Sequence, residues 1–292
     1  MTRFFKVAGH VFGMCLPERL NFRTGLDQYA PFETFSSEGC LFILSMTDEL
    51  PYAPLETCYD APAEDGQTKI TLFRCDEGWL AHMSRDHRAP VCACLWISSD
   101  FSDARVLMKS DSERDVMFAV NNSMMLTYAF RTSSLGTLEM HASMVSNSGR
   151  AFLFLAKSGT GKSTHSSLWI KNIPGSELMN DDNPVVRVWP DGRVIAYGSP
   201  WSGKTPCYRN VEAPVGAFVK IRRSKENIIT PLSLPEAYAE IYSSTSGLKS
   251  YSVMADHIHE SIAAVVTSIP SYVLDCRPDD EAAFVCAGEL MK

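Results

Sequence analysis

The chain has 292 residues, 45% of them hydrophobic and 21% charged, which is the balance of a folded chain with a substantial core. Its net charge of −7 argues against the phosphate backbone of a nucleic acid or an anionic membrane as partner for the whole surface. The nine cysteines are odd in number, lack a CxxC pair and offer only Cys92 and Cys94 in close spacing. Reduced, mostly buried thiols are the expectation, with neither a disulfide framework nor a zinc set.

Residues 1–22, MTRFFKVAGHVFGMCLPERLNF, begin apolar but are broken by Lys6, His10, Pro17 and Glu18. That interrupted stretch predicts neither a signal peptide nor a membrane span, so a cytoplasmic protein is expected. Up to about residue 135 the chain reads as short strands between turn residues: FFKVAGHVFGM, CLFILSM, TKITLFRC, GWLAHMSR and APVCACLWIS. A helix is predicted over 112–130 from the spacing of Val116, Ala119, Val120, Met124, Leu126 and Tyr128. This gives a β-rich N-terminal domain, 1–135, followed by an α/β domain, 136–292.

In the second part strands alternate with helices. AFLFLA (151–156) has the length of a buried strand, and Pro190-Asp191-Gly192 joins the strands 185–188 and 194–197 as a hairpin. Val215–Ile221 is a further strand. Ser233 with Glu236 forms a capping box opening a helix over 234–243. A helix over 252–267, a strand over 271–276 and a last helix from about Asp279 complete the reading.

The most informative segment follows AFLFLA directly: Ala156-Lys157-Ser158-Gly159-Thr160-Gly161-Lys162-Ser163-Thr164. It matches the phosphate-loop pattern G-x-x-x-x-G-K-[ST] except for Ala156 at the first glycine. Gly159 and Gly161 let backbone N–H groups ring a phosphate at the positive end of the following helix. Lys162 supplies a cation for the β- and γ-phosphates, and Ser163 a hydroxyl for Mg²⁺. Residues 158–164 are thus the predicted ATP-binding segment. Leu178-Met179-Asn180-Asp181-Asp182 adds two acids at a strand end, where neighbours face opposite ways. One can hold Mg²⁺ while the other faces an acceptor; the competing reading is a plain Asp-Asp-Asn-Pro turn.

The succession His141, apolar strand, S-G-x-G-K-S and D-D resembles the catalytic domain of the HPr kinase/phosphorylase family. The fold of that family is related to phosphoenolpyruvate carboxykinase. The resemblance covers 141–182 and extends more loosely through GSPWSGK (198–204) and 270–276; the chain as a whole resembles HPr-kinase-like proteins of unassigned substrate. It implies a mixed-sheet catalytic domain in which Lys162 and Ser163 bind nucleotide phosphate and Mg²⁺. Asp181 or Asp182 would be the general base, the other acid would lie near the metal, with Asp181 the metal ligand of choice, and His141 would hydrogen-bond near the reacting phosphate.

In GSPWSGK, Lys204 can bring charge to the transferred phosphoryl group or to an anionic acceptor, with Arg209 close behind. Trp201 reads either as a base-stacking or water-excluding ring, or as a core residue. Arg222, Arg223 and Lys225 read as a solvated strand end or a nucleotide contact, and His82, His87, His257 and His259 as structural or solvent-facing. The leading expectation is an ATP- and Mg²⁺-dependent kinase acting on a hydroxyl of a peptide, protein or small molecule. A carboxykinase-type enzyme acting on a keto acid and a non-catalytic nucleotide-binding module are the alternatives. A homo-oligomer is compatible with either.

Overall fold

The computed structural model describes residues 2–17, 26–62, 67–203 and 205–292; Lys204 lies outside the described residues. The chain divides into two compact units, the first running to Thr132 with Gly247–Ala255 added, the second comprising Ser133–Ser246 and Asp256–Lys292. The return of Gly247–Ala255 to the first unit has no signature in composition.

In the first unit, β1 (Thr2–Val7) and β2 (His10–Cys15) form a hairpin. The run read as one strand breaks at Ala8 and Gly9, both at positive φ (51° and 81°). Then come β3 (Glu33–Thr34), β4 (Cys40–Thr47), β5 (Glu56–Asp60), β6 (Lys69–Cys75), β7 (Gly78–Ser84), β8 (Ala93–Ser98) and β9 (Asp103–Met108). Together they make one sheet in the order β3-β1-β2-β4-β9-β8-β7-β6-β5, parallel at β2–β4 and β4–β9. Helix α1 (Glu113–Thr132) follows, two residues longer at its end than its apolar spacing predicted. Tyr128 of α1 is fully buried and its hydroxyl donates to the Val7 carbonyl, tying the helix to β1.

The second unit contains β10 (Thr137–Glu139), β11 (Ala142–Asn147), β12 (Arg150–Leu155), α2 (Lys162–Asn172), β13 (Glu177–Asp182), β14 (Val185–Val188) and β15 (Val194–Tyr197). It continues with β16 (Glu212–Arg223), β17 (Ile228–Pro231), α3 (Leu234–Ser244), α4 (Ser252–Ser268), β18 (Ser271–Cys276) and α5 (Asp280–Leu290); α4 is counted with this unit from Asp256 onward. Its sheet runs β10-β14-β15-β16-β12-β11-β13, with β18 beside β16 and β17 beside β18. The architecture is α/β with mixed sheets. The apolar run 151–156 becomes a central strand because both its faces are covered: Phe152, Phe154, Trp169 of α2 and Cys286 of α5 are all fully buried in one cluster.

The strand directions decide where chemistry can occur. β11 is antiparallel to both β12 and β13, so those two run the same way, while β16 is parallel to β12 and β18 to β16. The carboxyl ends of β12, β13, β16 and β18 therefore share one edge of the sheet, the usual place for a ligand in an α/β fold. No helix among the described residues is long and apolar enough to cross a membrane.

Candidate active site

The glycine loop leaves the sheet at Leu155 and enters α2 at Lys162. Gly159 and Gly161 adopt φ of 75° and 130°, conformations that a side chain would strain and that this turn requires. At the end of β16, Arg223 donates from Nε to the Thr160 carbonyl (3.1 Å) and from Nη2 to the Gly159 carbonyl (2.5 Å). The basic cluster 222–225 thus contributes a latch on the loop, while Arg222 pairs with Asp275.

Lys162 is only 8% exposed. Burial lowers its ammonium pKa, opposed by the charges of Asp182 and Asp181. Its Nζ lies 2.8 Å from His141 Nε2 and donates to the Ala156 carbonyl at 3.2 Å. His141 Nε2 also stands 3.1 Å from Asp182 Oδ1. His141 Nε2 therefore stands between the Lys162 ammonium and the Asp182 carboxylate: carrying its proton it donates to Asp182, and without that proton it accepts from Lys162. Burial raises the Asp182 pKa, but the hydrogen bond and charge of His141, with Lys162 and Asn183, outweigh it and hold the carboxyl below its ordinary value.

The neighbouring acid, Asp181, meets the next residue of the loop. Asp181 is 3% exposed and its Oδ1 accepts from the Ser163 hydroxyl at 3.0 Å. Its Oδ2 is buried with no hydrogen-bond partner among the described residues. A hydroxyl and a half-satisfied carboxylate at hydrogen-bond distance suit an octahedral cation that completes its shell with phosphate oxygens and water. No group of three or more His, Cys, Asp or Glu side chains among the described residues could hold a metal by itself. A nucleotide-borne Mg²⁺ does not need one.

The remaining expectations sort by contact. Ser158, Thr160 and Thr164 lie in or just after the loop. Arg209 is turned to β13 rather than to the loop: it donates to the Leu178 carbonyl (2.7 Å) and pairs with Glu177 (2.7 Å). Trp201 is a core residue, 4% exposed. His259 stacks on Tyr242 with ring centres 5.2 Å apart.

Beside the loop is a cavity of about 360 Å³, bordered by Gly161, His165, Leu168, Arg223, Cys276 and Arg277. His165 is buried at this border, neither ring nitrogen has a hydrogen-bond partner among the described residues, and burial pushes its pKa down to about 4. Nothing in the sequence singles out Glu139. Glu139 is 1% exposed and both its carboxyl oxygens lack hydrogen bonds among the described residues. Burial lifts its pKa to about 7; the nearby Ser246 hydroxyl offsets this in part without reaching hydrogen-bond geometry, and Asp182 adds to it. An acid in the short strand TLE carries no local mark of such burial.

No protein-family model matches the sequence, and no curated protein is detectably similar to it. Among solved structures, the chain is similar to the HPr(Ser) kinase/phosphatase from Coxiella burnetii at 9% identity and a TM-score of 0.32. The match covers 52% of this chain and 88% of that one. At that score the likeness carries no weight for fold or function.

Proposed function

We propose that the chain is an ATP- and Mg²⁺-dependent phosphotransferase of the HPr-kinase-like kind, transferring the γ-phosphoryl group to a hydroxyl acceptor. The observation that carries this reading is the division of the acid pair between the two signature residues of the loop. Asp181 meets Ser163, and Asp182 meets Lys162 through His141. A module that only bound nucleotide would need the first pairing but not the second.

The triphosphate would lie against the backbone N–H groups of 159–163, with Lys162 neutralising the charge that spreads over the transferred group. Ser163 and Asp181 would hold Mg²⁺, which supplies charge neutralisation at the phosphates when bound. Asp182, kept ionised by its neighbours, would take the proton of the attacking hydroxyl. His141 orients that carboxylate. The nucleoside would occupy the cavity beside the loop, whose volume is in the range of small-molecule sites.

Lys162→Ala should weaken Mg·ATP binding by about 10- to 100-fold, the value of a charge-assisted hydrogen bond to phosphate. Titration calorimetry on the folded variant checks this. Unchanged affinity would remove the loop from the site.

A further inference from the structure

Asp182 has φ of 124°, a region where a residue with a Cβ is strained and glycine is at home. The segment that opposes it is Gly198–Gly203, left without a structural role by the reading above. Asp182 bridges to Ser202 across an isolated antiparallel pair. The Asp181 carbonyl accepts from the Gly203 N–H (2.6 Å) and from the Ser202 hydroxyl (2.8 Å). Asn180, fully buried, donates to the Ser199 hydroxyl (3.2 Å) and the Trp201 carbonyl (3.1 Å), while its Oδ1 accepts from Asn183 N–H (3.0 Å). The Ser199 hydroxyl donates to the Asn183 carbonyl (2.6 Å), so the strand end is fastened to the loop on both sides of the acid.

At Gly203 the loop lies directly against the Asp182 side chain. A Cβ there would stand 2.9 Å from Asp182 Cβ and 3.1 Å from Asp182 Oδ2. No side chain fits without moving the carboxylate that His141 engages. We infer that Gly203 is a positioning residue, and that the 198–203 loop braces Asp182 in a strained backbone conformation to aim its carboxylate at His141 and Lys162. The strain is a cost to folding, kept for the acid's placement. The brace and the strain are independent of any reaction; the purpose assigned to them rests on the phosphotransferase reading.

The test compares thermal unfolding of the wild type, Asp182→Gly, Asp182→Ala, Gly203→Ala and the double variant Asp182→Gly/Gly203→Ala. At an ordinary position glycine is less stable than alanine. Here the order should reverse, with Asp182→Gly unfolding roughly 2–4 °C above Asp182→Ala. Gly203→Ala should lower the midpoint in the wild-type background and lower it by less than half as much beside Gly at 182, since the atoms it would strike are gone. Asp182→Ala as stable as Asp182→Gly, or equal losses from Gly203→Ala in both backgrounds, would overturn the brace.

The purpose is read separately. Gly203→Ala should reduce the single-turnover transfer rate at least tenfold with Mg·ATP affinity within twofold, and should cost nothing further in an Asp182→Asn background. An additive loss there, or full activity, overturns the positioning role. A wild-type protein that binds Mg·ATP but transfers no phosphate would refute the phosphotransferase reading, while the unfolding comparison still decides the brace.

Discussion

Asp182→Asn is expected to slow phosphoryl transfer by about 10²- to 10⁴-fold while leaving Mg·ATP affinity nearly unchanged. Affinity resides in the loop backbone and Lys162; proton acceptance resides in the carboxylate at the other end of the His141 contact. The amide keeps the volume and can still accept from His141, so the change isolates basicity. Asp181→Asn should behave differently. It weakens the partner of Ser163, so transfer should recover as Mg²⁺ is raised. Because its neighbours hold the Asp182 carboxyl below its ordinary value, the wild-type rate should be level through neutral pH and fall only at acidic pH. Single-turnover transfer from radiolabelled ATP, across Mg²⁺ concentration and pH, separates the two acids. Wild-type rates in both variants would make the pair a turn, and the chain a nucleotide-binding module.

A second large effect concerns stability. Glu139 has a pKa of about 7 in the folded chain against 4.5 for a free side chain. Below pH 4.5 it is protonated in both states and contributes nothing. Between pH 4.5 and 7 the unfolded chain ionises freely while the folded state keeps the buried carboxyl protonated, a loss of about 3 kcal/mol that is complete above pH 7. Glu139→Gln cannot ionise, so its stability relative to wild type should climb between pH 4.5 and 7 and then stay level. His165 acts in the opposite sense. Its folded pKa of about 4 lies below the ordinary 6.5, so the stability it contributes is full above pH 6.5 and is lost as pH falls toward 4. The two slopes oppose each other over pH 4.5–6.5 and flatten the wild-type curve there. Denaturant titrations of wild type and Glu139→Gln at pH 5, 6, 7 and 8 measure the difference. A difference that does not change with pH would mean that the Glu139 carboxyl is solvated or paired in solution.

The local signals served well where one segment contained its own explanation. AFLFLA, the glycine loop, the Pro190–Gly192 hairpin and the Ser233–Glu236 box all lie where periodicity and turn chemistry placed them. ELMNDD also formed the expected strand, its acids reaching Ser163 and His141. What stayed hidden depends on pairing between distant segments. Nothing near Arg223 says that it will latch loop carbonyls some sixty positions earlier in the chain. Asp182 shows no strain until Ser202 and Gly203 arrive across from it. The ambiguity of Trp201 could be resolved only by knowing what covers it. In the first unit, β9 and β5 lack an apolar run: only Ala104 and Val106 of β9 are fully buried, and no residue of β5 is.

The twelve residues of β16 span roughly 40 Å. One end registers with β15 at Pro214, its middle with β12, and its last residue is the Arg223 latch. A strand tied at both ends in this way has no slack in its length. An inserted or deleted residue would turn Phe218 and Val219 over to opposite faces and draw the guanidinium away from the loop. Length variation in this half of the molecule should therefore collect in the turn at Pro190–Gly192, whose exposed tip touches none of these registers, and be absent from 212–223.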